Sequence, residues 1–419
     1  MGLILLYFVF LFIAPQLWVE PFVGARVDFI LYPVWIIHAL VTGKFAQIFR
    51  LDGQDLFFLM MLLWMMLSMA AKGWTDDSLL ILQNYAKWFL LYRLVIVTVG
   101  DIGRLQKMGA MIVLIASVLA IEGMQHIYSP DGLGWAGQSF GWVDQSAAEI
   151  GLDKRTRWIN IFDGPGVFCV VYTIALPFAL SYTAAPFGKI TRAVGLVLTG
   201  LLLVGVYYTG ARGGFLTAIA IIGLFLAIKS GVSLKRLIFG GALGFVILML
   251  APGYVTSTKD SQGSAQHRVD MWAKGLDMVT SNPAIGIGKG NFKYYTGSLI
   301  AHNSVIEVMG ETGFVGLFLW IGVIYLGVKK LLVFQAQPGV NPLERSCASA
   351  VGLSIVGYLV SAMFVTLEYE TFYVLLAMGA VVGKCLPLPV RFGPQDAFLI
   401  IAVVGVFVVF LKFFVMSYY

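Results

Sequence analysis

The chain has 419 residues, of which 59% are hydrophobic and only 12% are charged. Because roughly a quarter of the residues in an average soluble protein are charged, this composition excludes a protein whose whole surface faces water. The net charge of +6 reflects mainly basic residues in one set of loops, which is a signal of membrane topology. It does not indicate nucleic acid as a partner. The cysteines lie in or beside apolar segments, so no disulfide framework is expected.

Apolar segments long enough to cross a bilayer recur along the whole chain. A helix of about 20 apolar residues spans the hydrocarbon core, and these segments lack the alternation expected of membrane β-strands. The sequence therefore predicts an all-α polytopic membrane protein with about 12 to 13 transmembrane helices. The predicted spans cover residues 2–18, 28–48, 56–72, 79–99, 105–127, 162–184, 192–209, 213–229, 236–252, 303–328, 347–367, 371–387 and 396–416.

The loops between these spans fall into two alternating sets that differ in basic residues. The short loops of one set contain only Arg26, Lys72 and Arg212, whereas the other set carries most of the remaining Lys and Arg. Because basic loops stay in the cytoplasm, the second set is predicted to be cytoplasmic together with the N-terminus.

Two long hydrophilic segments fall on the outer side of the predicted topology and divide the chain into five parts. These are N-terminal transmembrane helices at 1–127, outer loop one at 128–161, central transmembrane helices at 162–252, outer loop two at 253–301 and C-terminal transmembrane helices at 302–419.

Outer loop two contains a predicted amphipathic helix at residues 264–281. Val269, Trp272, Leu276 and Val279 recur at helical spacing and form an apolar face that can lie on a bilayer surface. The glycine-rich stretch at 286–291 then predicts a flexible turn.

Two arginines on the outer side are candidates for binding a ligand. Arg212 stands between glycines in a minimal turn, where a ligand can approach the backbone and the guanidinium can contact a phosphate with two prongs. Equally, Arg212 is suited to anchoring at lipid headgroups. Arg268 lies on the amphipathic helix, where a solvated position is the ordinary alternative.

His302 stands where outer loop two re-enters the membrane, followed by Asn303 and Ser304, either of which is suited to cap a helix. Glu307 and Glu311 follow within the span, where carboxylates are rare and are either functional or structural. On a regular helix they lie about 140° and 180° around from His302. If His302 acts as a base, we therefore expect its orienting partner to come from elsewhere.

These residues form part of a pattern that resembles the O-antigen ligase and O-antigen polymerase superfamily of bacterial envelope glycosyltransferases. The resemblance extends roughly from Arg157 to Trp320 and rests on the order and spacing of short motifs. The motifs are Arg157-Trp158-Ile159-Asn160 with Asp163-Gly164-Pro165, Thr209-Gly210-Ala211-Arg212-Gly213, Arg268-Val269-Asp270-Met271-Trp272 with Asn282-Pro283-Ala284-Ile285-Gly286-Ile287-Gly288, and His302-Asn303 with Glu311-Thr312-Gly313-Phe314-Val315-Gly316.

The resemblance implies a glycosyltransferase type C fold in a bacterial inner membrane, with an active site that faces the periplasm. It implies an undecaprenyl-diphosphate-linked glycan as donor, and a lipid A-core sugar or another lipid-linked glycan as acceptor. His302 is then the candidate base, and Arg212 and Arg268 hold the diphosphate. No cofactor or metal is expected, and the partners are these glycans and membrane lipids.

Further candidates for the substrate cavity are Lys87, Arg157, Asn303, Glu307 and Glu311. Lys87 lies in the middle of the span at 79–99, where it either faces a polar cavity or forms a structural ion pair.

The chemistry of the candidate residues fits this implication. A histidine is suited to accept the acceptor proton, and arginines are suited to stabilise a departing diphosphate, with inversion at the anomeric carbon. A ligase is favoured over a polymerase by the modest loops and the basic outer site. A transporter or flippase is less favoured, because the polar residues gather at one face instead of the bilayer midplane.

Overall fold

The computed structural model describes residues 1–140, 155–184, 186–232, 236 and 259–418. These residues form α-helices and short helical turns without a β-strand, and one isolated antiparallel bridge joins Leu133 to Ser139. The α-helices, numbered here in chain order, are α1 Gly2–Phe8, α2 Val27–Val41, α3 Phe45–Ile48, α4 Gly53–Lys72, α5 Ser78–Val99, α6 Ile102–Tyr128, α7 Pro165–Tyr182, α8 Lys189–Thr209, α9 Arg212–Lys229, α10 Lys259–Ser281, α11 Phe292–Thr296, α12 Ser304–Ala336, α13 Pro342–Ala362, α14 Glu370–Lys384 and α15 Pro394–Met416.

Short helical turns accompany these helices. A π-helix at Val9–Ile13 continues α1, and 3₁₀ turns occur at Pro15–Leu17, Glu20–Phe22 and Asn160–Phe162.

The predicted all-α polytopic membrane protein is confirmed. Within the described part of the chain, nine helices are long and apolar enough to span a membrane, namely α4 to α9, α12, α13 and α15. The segments Gly2–Ile13 and Val27–Val41 are shorter apolar helices, and α14 has 15 residues. The predicted span at 236–252 lies outside the described residues, except for its first position.

Side-chain caps fix the starts of two helices that the hydrophobic pattern alone does not delimit. The Asp101 side chain accepts a hydrogen bond from the Arg104 backbone N–H at 2.8 Å and thereby caps α6. The Asn341 side chain accepts one from the Leu343 N–H at 2.9 Å and caps α13. Each cap satisfies a backbone donor that the helix itself leaves unpaired.

The chain divides into two compact units. Unit 1 comprises 1–54, 87–222 and 326–390, and unit 2 comprises 55–86, 223–325 and 391–419.

The core of unit 1 is built from α6, α7, α8 and α13, which pack through glycines. A Cβ at Gly109 would lie 2.5 Å from the Phe178 ring, and one at Gly205 would lie 2.8 Å from the Tyr172 ring. The absence of these side chains lets the helices approach closely.

In unit 2, α10 packs against the start of α12. A Cβ at Gly275 would lie 2.4 Å from the Ile306 side chain, and one at Gly310 would lie 3.1 Å from the Met278 sulfur. The predicted amphipathic helix is therefore present, and it begins at Lys259. Its apolar face packs on protein: Trp272 is buried and contacts Phe414 of α15, with ring centres 5.7 Å apart.

Helix α12 is broken at Gly313, which has φ 68° and ψ −171°. Residues 283–288 run across α12 at this break. The Phe314 N–H donates to the Pro283 carbonyl at 2.8 Å, and the N–H groups of Ile287 and Gly288 donate to the carbonyls at positions 310 and 311 at 3.1 and 2.9 Å. A backbone break inside an apolar helix is tolerated where its polar groups find partners of this kind.

Side chains of α4 complete the hydrogen bonding around the break. The Trp64 indole N–H donates to the Thr312 carbonyl at 2.9 Å. The Ser68 hydroxyl lies 2.8 Å from the Ile285 carbonyl and 3.0 Å from the Glu311 carbonyl. The absence of side chains at Gly286 and Gly313 thus permits a crossing of two backbone segments.

Candidate active site

His302 lies immediately before α12 in a turn with a left-handed backbone, at φ 50°. Asn303 follows it and caps the helix, because its side-chain oxygen accepts hydrogen bonds from the N–H groups of Val305 and Ile306 at 3.0 and 3.2 Å. Of the two capping candidates, Asn303 accepts these bonds, and its side chain is buried. His302 therefore stands outside the helix, on a turn whose C-terminal side is fixed by the cap.

The His302 imidazole shares its surroundings with two residues of α10. Burial is the largest cause that lowers the pKa of His302, and together with the positive charges of Arg268 and His267 it brings this pKa to about 4. Desolvation disfavours the charged ring, and a nearby cation does the same. At neutral pH the ring is therefore unprotonated and able to accept a proton.

Two of these three side chains were selected from the sequence, and one was not. Arg268 and His302 were candidates, and the structure brings them together within unit 2. His267 was not a candidate because its position on a water-facing helix suggests a solvated side chain. Its spacing of one residue from Arg268 was the only signal in the sequence.

The carboxylates of Glu307 and Glu311 have different surroundings. Glu307 accepts a hydrogen bond from the Ala301 N–H at 3.4 Å. Glu311 is buried, and its two oxygens accept bonds from the Lys289 ammonium at 2.6 Å and from the Phe292 N–H at 3.0 Å. Glu311 thus ties the segment before α11 to α12, which is the structural role left open in the sequence.

The sequence pattern does not indicate that Lys289 is buried. Its position between two glycines indicates a flexible, solvated turn, yet its side chain is only 4% exposed. The ammonium lies 6.0 Å from the centre of the Tyr85 ring, in addition to its ion pair with Glu311. No local pattern distinguishes this lysine from one in a surface turn.

Arg212 is the first residue of α9 in unit 1, and it is exposed. Gly210 ends α8 in the left-handed conformation, at φ 58°. The glycines that follow Arg212 are explained by packing, because a Cβ at Gly213 would lie 2.6 Å from Phe364 and one at Gly214 would lie 2.1 Å from the Cys169 sulfur. The interpretation that these glycines admit a ligand is therefore unnecessary for positions 213 and 214.

Arg157 joins two loop segments of unit 1. Its guanidinium donates to the Asp163 carboxylate at 2.7 Å and to the Ser139 carbonyl at 3.0 Å.

Lys87 of α5 forms an ion pair with Asp28 of α2 at 3.3 Å, and both side chains are about half exposed. For Lys87 the structure thus contains the ion pair that was one of its two alternatives.

The structure places the predicted site residues in both units. Unit 2 contains His302, Arg268, Asn303, Glu307 and Glu311, and unit 1 contains Lys87, Arg157 and Arg212. In the part of the chain that the structure describes, no three His, Cys, Asp or Glu side chains are placed to hold a metal ion.

The membrane-spanning helices and the polar turn before α12 define a multi-pass α-helical membrane protein. Residues 197–321 match the family model described as O-antigen ligase, and this match supports the resemblance of the chain to the O-antigen ligase superfamily. The match includes Arg212, Arg268 and His302, and it excludes Lys87 and Arg157. The comparison with curated proteins gives no match. The family indicates a membrane glycosyltransferase-type enzyme whose substrates are lipid-linked glycans.

Proposed function

We propose that the protein is a ligase that transfers a glycan from undecaprenyl diphosphate to a sugar hydroxyl of the lipid A-core. The reaction takes place at the periplasmic face of a bacterial inner membrane. The observation that carries this proposal is the partly buried His302, close enough to Arg268 for the arginine charge to lower its pKa, on a turn fixed by the Asn303 cap, within the part of the chain that matches the O-antigen ligase family.

In the proposed reaction, His302 accepts the proton of the acceptor hydroxyl as the hydroxyl oxygen attacks the anomeric carbon. The bond from that carbon to the diphosphate oxygen breaks, and the configuration at the carbon is inverted. A donor diphosphate beside the ring would raise the pKa of His302 from about 4, because a neighbouring negative charge stabilises the imidazolium. Donor binding would therefore make His302 a stronger base for the attack of the acceptor hydroxyl.

Arg268 is the proposed partner of the diphosphate at this site. A guanidinium offers two parallel N–H groups to phosphate oxygens and remains charged in a partly dehydrated site. Arg212 is the second arginine that the resemblance implies for this role, and its contribution stays a prediction. Transfer by the purified enzyme is expected to persist in EDTA, and a strict requirement for a divalent ion would contradict neutralisation of the leaving group by arginine.

The test of the base is His302→Asn in the purified enzyme. Asparagine tolerates the left-handed backbone at position 302, whereas alanine would add strain that is unrelated to catalysis. We expect transfer to fall by roughly 10²–10⁴-fold, the usual contribution of a general base. Donor binding should remain, because it is assigned to the arginines.

A matched control is His38→Asn in α2, which removes an imidazole from an exposed position of unit 1. This variant should transfer glycan at the parent rate. A folded His302→Asn enzyme with parent activity would exclude His302 as the base.

A polymerase of the same superfamily is the alternative function, because the same motifs serve both reactions. Deletion of the gene followed by glycan analysis separates the two. Loss of all ligated glycan supports the ligase, and single-unit caps on the core support the polymerase. Accumulation of donor on the cytoplasmic side would instead indicate a transporter or flippase.

A further inference from the structure

The backbone of His302 has a conformation that residues with a side chain rarely adopt. Its φ of 50° lies in the left-handed region, where a Cβ crowds the neighbouring carbonyl. Such conformations persist when the surrounding structure holds the chain in place. The contacts of the adjacent residue Ala301, which is fully buried, are therefore informative.

Both polar backbone groups of Ala301 are bonded to side chains from different helices. Its carbonyl accepts a hydrogen bond from the Trp272 indole N–H of α10 at 3.1 Å, and the bond is buried. Its N–H donates to the Glu307 carboxylate of α12 at the longer distance of 3.4 Å. The Asn303 cap fixes the chain on the other side of His302.

We propose that Trp272 is a positioning residue for His302, with Glu307 as a second, weaker one. By holding the Ala301 peptide groups, the two side chains keep His302 in the left-handed turn, with its ring beside Arg268. This inference rests on the role proposed above for His302, but its structural part is separately testable.

The position of Trp272 allows it to orient both Arg268 and His302. Trp272 follows Arg268 by four residues, which places the two on the same side of α10 one turn apart. The indole ring is itself held by contact with Phe414 of α15, at 5.7 Å between ring centres. One hydrogen bond therefore ties the helix that carries Arg268 to the turn that carries His302.

The test is Trp272→Phe, which removes the indole N–H and retains an aromatic ring against Phe414. We expect kcat to fall about 10- to 100-fold, since a displacement near 1 Å of a catalytic group has this effect. The KM for the lipid-linked donor should change much less.

The matched control is Trp35→Phe in unit 1, because Trp35 is also buried and its indole N–H donates to the Thr98 hydroxyl at 2.7 Å. This variant loses an equivalent buried hydrogen bond and should keep the parent kcat. An equal loss of kcat in both variants would indicate general destabilisation and overturn the positioning role.

Glu307 is tested with a pair of variants. Glu307→Gln keeps an oxygen that can accept the Ala301 N–H, and Glu307→Leu does not. The inference predicts nearly parent kcat for the glutamine variant and a reduced kcat for the leucine variant. An equal loss of kcat in both variants would show that kcat depends on the charge of Glu307 and not on its hydrogen bond to Ala301.

A readout independent of catalysis is the pKa of the His302 ring, measured by NMR of histidine-labelled protein. Release of the turn in Trp272→Phe should move this pKa toward the ordinary histidine value, while Trp35→Phe should leave it unchanged. A folded Trp272→Phe protein with the parent pKa and the parent kcat would overturn the inference. If His302→Asn were fully active, the proposed function would fail, and the NMR measurement would still decide whether Trp272 positions the ring.

Discussion

The Lys289 ammonium lies 2.6 Å from the Glu311 carboxylate, and the two side chains are only 4% and 2% exposed. Glu311 also accepts the Phe292 N–H, so this single carboxylate joins α12 to the start of α11 within unit 2. Removing one member of a buried ion pair leaves an uncompensated charge, which costs about 3 to 5 kcal/mol.

The first prediction concerns this pair. Lys289→Met should lower the thermal stability of the detergent-solubilised protein strongly, because Glu311 would remain buried without its cation. The double variant Lys289→Met with Glu311→Gln should recover most of that loss. Thermal unfolding of the single and double variants measures the coupling, and losses that simply add would show that the two charges do not depend on each other.

The second prediction concerns the backbone crossing at the break in α12. A Cβ at Gly313 would lie 2.3 Å from the Ala284 carbonyl oxygen, and one at Gly286 would lie 2.4 Å from the Glu311 carbonyl. Because both contacts are with backbone that cannot move aside, Gly313→Ala and Gly286→Ala should each yield protein that folds poorly or not at all.

A control for this prediction separates the clash from the backbone strain. Gly297 also has a positive φ, of 76°, but a Cβ there would meet nothing within 4 Å. Gly297→Ala should therefore cost only about 1 kcal/mol, the penalty of a left-handed alanine. If the yield of folded protein after detergent extraction were the same for Gly297→Ala and Gly313→Ala, the crossing would not be the cause.

The membrane-spanning helices were predictable because run length and the scarcity of charge are local properties of the sequence. The amphipathic helix α10 was predictable for the same reason, from the spacing of residues such as Val269 and Trp272. What its apolar face contacts was not predictable. The pattern fits a bilayer surface as well as it fits the start of α12 and Phe414.

The site was only partly predictable, since its geometry depends on chain crossings that local patterns do not encode. The burial of Lys289 results from the passage of residues 283–288 across the break at Gly313. The angles of Glu307 and Glu311 around from His302 hold only on a regular helix that includes His302, whereas α12 begins at Ser304 and His302 lies outside it. Histidine and arginine could be selected by chemistry, but Trp272 could not be distinguished from a core residue.

The third prediction tests the orientation in the membrane. Leu299 is exposed in outer loop two, and the native Cys385 after α14 is exposed in a loop predicted to be cytoplasmic. In intact spheroplasts, an impermeant thiol reagent should label Leu299→Cys and should not label Cys385 in the parent protein. After permeabilisation, Cys385 should also react. Labelling of Cys385 before permeabilisation would reverse the proposed orientation.

The fourth prediction concerns the two arginines. Arg268→Lys and Arg212→Lys should each weaken binding of the lipid-linked donor about 10- to 100-fold, since a charge-assisted bond to phosphate contributes about 1.5 to 3 kcal/mol. Lysine keeps the charge but loses the two-pronged geometry. Arg192→Lys is the control, because Arg192 in the first turn of α8 is exposed and donates to the Phe187 carbonyl of the preceding loop at 2.7 Å. Parent affinity in either of the first two variants would exclude that arginine from the diphosphate contact.

The fifth prediction concerns the pH dependence of catalysis. Burial, together with Arg268 and His267, holds the pKa of His302 at about 4, well below the ordinary histidine value. Because the base must be unprotonated, kcat/KM should stay constant from neutral pH down to about pH 5 and fall as the pH passes through the His302 pKa. Arg268→Gln removes a positive charge and should move this acidic limb to higher pH. An acidic limb near pH 6.5 in the parent enzyme would contradict the lowered pKa of the His302 ring.

The lowered pKa of His302 also makes the stability of the folded protein depend on pH, and stability should decrease as the pH falls. In the unfolded chain the pKa of His302 is about 6.5, so between that value and about 4 the unfolded state binds the proton first. The contribution of His302 to folding is therefore complete above pH 6.5 and is lost as the pH falls toward the folded-state value. His302→Asn cannot titrate, so its melting temperature should decline less than that of the parent between pH 7 and pH 5. Parallel declines in the two proteins would show that other groups determine the acid sensitivity, and that the His302 ring is not the partly buried, unprotonated base on which the mechanism depends.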